Sequence, residues 1–397
     1  MKIGIDCTSI NTSYRGGVNT YIFGLLKGFS SLALAEKNKY VIFCNKKDKS
    51  FFREFNDKRN FEIITVNYKT TFFYLLMGIP FLFNSLSLWR TMSNIYVKLK
   101  GIDKKINSNC DILLAPKTIL NYFNLKVPTI LSMHDIQQYH YPEFFSKLEL
   151  RYRKLTYVNS AKITEYFQAS SHFIKEDLLT HFAWLKAKQI FVIPEGVDIE
   201  AFSDNNIDTK ILEKFNLPEK FLFFPGQLWK HKNHITVLKA LKILEKKGLQ
   251  IPLVLTGAKY SGSKEIFNFI EKNDMDYVHY LGKVNFNEIR ALYKRSTFLI
   301  TAVLYESSSL PILEAAASGV PIIASKTPPN EELAKNLKIS LFSPLNMEEC
   351  ANVIKKNWIS EKRIINKQVE DNLIAIKKYS WEKIASQYNN IINVLGK

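Results

Sequence analysis

Short apolar runs alternate with longer segments of helical periodicity along both halves of the 397-residue chain. In the first half the runs are KIGIDC, YVIFC, FEIITV, DILLA, PTILSMHD and ITEYFQAS. In the second they are FLFFPG, IPLVLTG, VHYLG, TFLITA, VPIIAS and ISLF. Between them lie stretches such as residues 235–247, apolar at 235, 238, 241 and 244. Buried strands separated by amphipathic helices predict parallel sheets with crossover helices. A length of 397 residues with 46% hydrophobic content suits two doubly wound domains, each with its own core. The predicted boundary lies near residues 192–202, where IPEGVDIEAF supplies a proline, a glycine and a loss of periodicity. Residues 380–394, SWEKIASQYNNIINV, predict a serine-capped amphipathic helix that closes on something already folded.

Charge changes the picture in one respect. The net charge is +18, and residues 1–197 carry 27 basic against 15 acidic side chains, so most of the excess is in the first half. Such a field draws polyanions. With no arginine-rich stripe and no recognisable nucleic-acid motif, an anionic membrane surface ranks above nucleic acid. Residues 70–89 hold no charge and many large apolar side chains, between Lys69 and Arg90. Pro80, Asn84, Ser85 and Ser87 interrupt the run, which argues against a spanning helix and for one lying on the bilayer or packed on the domain. Cys7, Cys44, Cys110 and Cys350 are scattered, with no CxxC pair, which points away from zinc and from a disulfide framework. The opening MKIGIDCTSI turns acidic at Asp6 before a signal-peptide core could form, so a cytoplasmic location is expected.

Four segments carry candidate chemistry. Residues 297–325, TFLITAVLYESSSLPILEAAASGVPIIAS, predict a buried strand, a polar loop, a helix opening near Pro311 and closing at Gly319, and a further strand. Ligands bind beyond the C-terminal ends of such strands, where helix N-termini present open N–H groups. Small residues at 307–309 admit an anion to the backbone, and Glu306 in the loop and Glu314 about one turn into the helix can each grip hydroxyls of one ligand. In FLFFPGQLWKHKNHITVLKAL a strand ends at Pro225–Gly226, and Lys232 precedes a helix. A cation there stabilises a departing diphosphate. TILSMHDIQQYHYPEFF sets His134 and Asp135 at a strand end, and SYRGGVNTYIFGLLKGF sets Gly16 and Gly17 between the first strand and the first helix. A glycine pair there permits close approach of a phosphate or sugar.

These segments together resemble the retaining glycosyltransferases of family 4, which have the GT-B fold. The resemblance rests on the E-x7-E pair Glu306 and Glu314, on LPILEAAASGVPIIAS, on the glycine and lysine of PGQLWKHKN, and on HD followed by YPEFF. It extends through IFVIPEGVDIEAF, YLGKVNFNEIRALYKRS and SWEKIASQY, and is weakest between residues 51 and 105, where such enzymes vary with their acceptors. It implies two Rossmann-like doubly wound domains facing a central crevice. Residues 1–195 would bind the acceptor, 196–379 the nucleotide-sugar donor, and 380–397 would pack back on the first domain. Donor contacts are implied for Gly16, Gly17, Gln227, Lys232, Ser308, Ser309, Leu310 and the backbone near Val284. Glu306 is implied at the sugar, Glu314 at the ribose and His134 at the reacting centre, with His134, Glu306 and Lys232 as the catalytic set. The sequence departs from the family pattern at Gln227, where an arginine is usual, and at Ser307 and Ser309, where glycines are common.

The activity implied is transfer of a hexose, with a lean toward mannose, from a GDP- or UDP-linked sugar to a glycan acceptor, lipid-linked, in O-antigen or capsule synthesis. The setting would be peripheral, at the inner face of the plasma membrane. No metal is expected, because HExxH does not occur and lysine and helix dipoles would meet the diphosphate. No other cofactor is expected. Two rival readings stand beside this one. A glycoside hydrolase would need its two carboxylates across a scissile bond rather than on one loop and helix. A catalytically silent scaffold or glycan-binding subunit would draw on Gln227 and the serine-rich loop.

Overall fold

The computed structural model describes residues 1–8, 10, 16–32, 38–68, 70–122, 124–204, 206 and 209–396. Lys69 and the Ser13–Tyr14–Arg15 part of the first glycine motif lie outside the described residues.

The chain divides into two units, Met1–Gly196 with Trp381–Lys397, and Val197–Ser380. In the first unit seven strands form one sheet: β1 (Lys2–Asp6), β2 (Lys39–Asn45), β3 (Phe61–Val66), β4 (Ile112–Ala115), β5 (Thr129–Ser132), β6 (Tyr166–Ala169) and β7 (Ile190–Val192). Their spatial order is β3-β2-β1-β4-β5-β6-β7. In the second unit β8 (Leu222–Pro225), β9 (Leu253–Thr256), β10 (Val278–Tyr280), β11 (Phe298–Thr301), β12 (Ile322–Ser325) and β13 (Ile339–Phe342) order as β10-β9-β8-β11-β12-β13. Every pairing between these strands is parallel. Both doubly wound sheets expected from the sequence are present. Twelve of the strands fall on the apolar runs, and β7 lies outside them, meeting the stretch read from sequence as boundary only at Val192.

The strand sequences explain their placement. KYVIFCN, LVLT, FLIT and IIAS are apolar on successive residues rather than alternately, and they are buried on both faces under helices. In each sheet the order reverses at the first strand, between β1 and β4 and between β8 and β11. Crossover helices leave those neighbours toward opposite faces, so a gap opens at their C-terminal ends.

The first unit is completed by the last helix, Trp381–Leu395. Its buried face joins the same core as Tyr21, Leu25, Phe29 and Tyr40. Trp381 sits against three glycines: a Cβ on Gly24 would lie 1.9 Å from its ring, one on Gly196 2.7 Å from the ring, and one on Gly28 2.2 Å from its carbonyl oxygen. Polar contacts complete the seat, with Tyr388 bonded to Tyr21 through their hydroxyls and Asn389 Nδ2 donating to Tyr40 Oη at 2.8 Å.

The uncharged run 70–89 becomes the helices Thr70–Leu76, Gly78–Leu82 and the start of Leu86–Leu99. Phe73, Met77, Pro80 and Trp89 turn inward, whereas Leu75, Leu82 and Phe83 are 77%, 72% and 75% exposed. Among the described residues, no helix is long and apolar enough to cross a membrane.

Gly24→Ala forces a methyl group into the Trp381 ring, so urea unfolding followed by tryptophan fluorescence should show a loss of about 1–3 kcal/mol, the range for overpacking a filled core. A Gly24→Ala protein as stable as the wild type would show that Trp381 is not held where the structure has it.

Candidate functional site

In the second unit the gap between β8 and β11 is walled by the segments that follow those strands. After β8 the chain turns through Gly226, at φ 137°, and Gly257 after β9 has φ 120°. A Cβ on Gly257 would lie 2.2 Å from the Gly226 carbonyl oxygen, so the two turns touch through bare backbone. Asn233, left-handed at φ 56°, starts the helix His234–Lys246, and its side-chain amide donates to the carbonyls of Ala302 at 3.0 Å and Pro344 at 2.7 Å. One asparagine therefore ties together the loops after β8, β11 and β13, which offsets the strain of its backbone. The Leu304 N–H donates to the His231 carbonyl at 2.8 Å, drawing the same two loops together.

This lacing brings Lys232 and Glu306 into contact. Lys232 Nζ donates to Glu306 Oε2 at 3.2 Å, with side chains 21% and 7% exposed. The other oxygen, Glu306 Oε1, and the hydroxyl of Ser309 are buried and have no partner among the described residues. Buried polar atoms are normally satisfied, so these two point to hydroxyls or an anion supplied from outside. The helix Leu310–Ser318 opens beside them with Pro311 in its first turn and no side chain capping it. Its N–H groups and its dipole favour negative charge. It ends at Gly319, φ 72°, as expected from sequence.

Glu314, one turn in, is half-buried and its Oε2 accepts from Tyr293 Oη at 2.7 Å. Loss of solvent pushes its carboxyl up to about 7, and the tyrosine hydrogen bond works in the opposite direction. The remaining sites expected from sequence are placed as follows. Gln227 accepts the indole N–H of Trp229 on its Oε1 at 2.7 Å, so half of its amide is already engaged. Trp229 in turn stacks on Tyr260 at 3.8 Å. Ser308 and Leu310 are half-buried at the helix start. Val284 follows β10, with its side chain packed on the unit's core.

The first unit gathers a second cluster at its own reversal. His134, two residues beyond β5, is buried, and the edge of Tyr21 meets its ring at 4.9 Å and 87°. Its Nδ1 lies 3.7 Å from Glu195 Oε1, and its Nε2 has no partner among the described residues. Burial lowers the His134 pKa, against the opposing effects of the Pro116 carbonyl and Asp135, so the ring favours its neutral form. Asp135 accepts from Arg153 Nη1 at 3.2 Å and from the Gln137 N–H at 3.4 Å. Gly16 accepts from the Thr20 N–H at 3.0 Å, and Gly17 begins the helix Gly17–Leu32.

Several members of these clusters are not among the residues singled out from sequence. Asp6 ends β1, where it is fully buried, pairs with Lys117 Nζ at 2.7 Å and accepts from the Thr8 hydroxyl at 2.8 Å. Glu195 lay in a segment read as linker, and its only signal was a carboxylate between Pro194 and Gly196. Tyr293 is one of 19 tyrosines, with nothing local to mark it.

The Lys232–Glu306 pair is asymmetric in its exposure, and so are its variants. Lys232→Met leaves a buried carboxylate without its cation and should cost about 1–3 kcal/mol in ligand-free unfolding; Glu306→Gln leaves a lysine that can turn to water and should cost less than about 1 kcal/mol. The reverse order would exclude a charged Glu306.

Comparison with known proteins fits this geometry. Residues 15–201 match the family described as Glycosyltransferase Family 4, and residues 208–390 the family Glycosyl transferases group 1. The O-antigen chain mannosyltransferase B of Escherichia coli is 22% identical over 271 residues, covering 67% of this chain and 70% of that protein. An uncharacterized glycosyltransferase of Methanocaldococcus jannaschii is 25% identical over 404 residues, covering 96% of this chain and 95% of its own. The crystal structure of Anabaena HepE in complex with UDP and glucose superposes with a TM-score of 0.70 at 19% identity, covering 99% of this chain and 100% of that one. At that identity the likeness speaks for the fold, which is the GT-B fold of glycosyltransferases. With one family covering most of the first half and the other most of the second, the chain belongs to the family 4, group 1 glycosyltransferases.

Proposed function

We propose that the chain is a retaining hexosyltransferase that takes a sugar, mannose by preference, from a nucleotide diphosphate and adds it to a lipid-linked glycan acceptor of surface polysaccharide synthesis. The observation that carries the reading is the buried Lys232–Glu306 pair with Glu306 Oε1 and Ser309 Oγ left open beside an uncapped helix start. A diphosphate at that helix meets N–H groups and the Lys232 ammonium, which stabilise the charge that develops as the glycosidic bond breaks. Glu306 Oε1 then accepts from a sugar hydroxyl, and Glu314 from the ribose. Donor-site charge is met by the Lys232 ammonium and the helix start. The neutral His134 ring offers an uncharged contact to the sugar or acceptor. The mannose preference and polysaccharide setting follow the name of the Escherichia coli relative, and the UDP held by the Anabaena protein keeps the base open between UDP and GDP.

A carboxylate accepts hydroxyl hydrogen bonds more strongly than a carboxylic acid does. With the Glu314 pKa pushed up to about 7, the acid form dominates below that pH and the charged form above it. Affinity for UDP or GDP should therefore tighten about tenfold between pH 6 and pH 8, as that one group ionises. Calorimetric titration of the Glu314→Gln variant should give weaker and pH-independent binding. Wild-type affinity in that variant, for both nucleotides, would remove Glu314 from the donor site.

The acceptor half of the reading rests on the first unit's exposed apolar face. Leu75, Leu82 and Phe83 are exposed, and beside them Arg151 Nη1 donates to the Leu82 carbonyl at 3.4 Å and its guanidinium lies over the Phe81 ring at 5.7 Å. Exposed apolar side chains with an arginine beside them, on the unit that carries most of the positive charge, suit an anionic lipid surface. Co-sedimentation with phosphatidylglycerol vesicles should be strong and that with neutral phosphatidylcholine vesicles weak. Leu75→Asp/Phe83→Asp should abolish both, and failure of the wild type to bind either vesicle would end the membrane reading.

A further inference from the structure

On the first unit three side chains converge that the glycosyltransferase reading does not use. His140 Nε2 lies 2.7 Å from Asp177 Oδ1, His181 Nε2 lies 3.4 Å from the same oxygen, and the three donor atoms are all within 4.8 Å of one another. Asp177 and His181 are four residues apart on the helix His172–His181 and therefore share one of its faces. His140 comes from a different element, directly after the short turn Gln137–Tyr139.

We propose that His140, Asp177 and His181 form a binding site for one divalent transition-metal ion, zinc before the others. The donor set is two imidazole nitrogens and one carboxylate oxygen, which suits a borderline-soft cation better than calcium or magnesium. Two donors each ~2.0–2.1 Å from a tetrahedral ion lie about 3.3 Å apart, and the separations of 2.7 and 3.4 Å from the shared oxygen bracket that value. Both histidines present Nε2, so one ring tautomer serves each, with Nδ1 carrying the proton. The Tyr139 ring stacks on His181 at 4.4 Å and 23°, which fixes the plane in which that nitrogen points. Asp177 has a side chain only 4% exposed, while those of His140 and His181 are 31% and 26% exposed. The carboxylate is therefore held from inside, and the open side admits the ion and the water that completes its coordination.

The site is structural in consequence. His140 belongs to the segment after β5 that also carries His134 and Asp135, so an ion there pins that segment to the helix His172–His181. Without a metal the same geometry is a carboxylate shared between two imidazoles, and that alternative takes up no ion.

The test uses the full-length, untagged chain, stripped with EDTA and titrated calorimetrically with Zn²⁺ and then Co²⁺. One ion per chain is expected, zinc tighter than cobalt, with imidazole-type coordination in the Co²⁺ visible spectrum and a higher Tm for the zinc-loaded protein. His181→Ala and His140→Gln should each weaken binding by at least about 100-fold, beyond the loss from removing a residue that only orients a ligand. Both sites are partly exposed, so these variants keep the test decisive if Asp177→Asn fails to fold. His279→Ala, in the other unit, should bind like the wild type. Substoichiometric uptake by the wild type, or unchanged affinity in His181→Ala, would overturn the site. The inference is independent of the donor reading: a chain that binds zinc but no nucleotide would sink that reading and leave this one standing.

Discussion

All strands in each sheet run the same way, so their C-terminal ends, and the N-termini of the helices that follow, gather along one edge. The order reverses once in each sheet, and at that point helices depart to opposite faces and leave a gap no side chain must fill. The ionisable groups of both candidate sites collect at this edge. In the first unit Asp6 and Lys117 stand at the ends of β1 and β4, with His134 beyond β5. In the second, Lys232 and Glu306 follow β8 and β11. Elsewhere in a doubly covered sheet such groups would be sealed in apolar surroundings at a cost of several kcal/mol each.

Two carboxylates eight residues apart in sequence end in different surroundings. Glu306 lies against the Lys232 ammonium, whereas Glu314 faces a tyrosine hydroxyl and its pKa is pushed up by burial. Environment, not residue type, separates their roles. The pairing of Lys232 with Glu306 also means that neither group waits in the ligand-free protein as an isolated charge. A diphosphate that recruits the lysine must compete with the carboxylate for it.

The first unit depends on a contact between the two ends of the chain. Trp381 needs glycine at 24 and 196 to seat its ring and at 28 to seat its carbonyl, three positions from two distant segments. The opposite economy holds over residues 70–89. There the chain spends Phe73, Met77 and Trp89 on the interior and leaves Leu75, Leu82 and Phe83 exposed.

The sequence by itself determined what depends on local order: the strands as unbroken apolar runs, the helices as periodic ones, the stop at Gly319, and Glu306 in the loop with Glu314 one turn into the helix. Strand formation and helix capping are decided by neighbours within a few residues, so composition and spacing carry them. β7 escaped because three residues beside a proline and a glycine make too short a run to stand out. Only the tertiary structure decided which distant groups meet. Nothing near Lys232 in sequence announces Glu306, nothing near Glu314 announces Tyr293, and Glu195 looks like linker until the fold carries it to His134. The same holds for His140 and the helical pair Asp177 and His181. Those contacts depend on the order of strands in the sheet, and that order is set by how helices pack on its two faces, which no short stretch of sequence records.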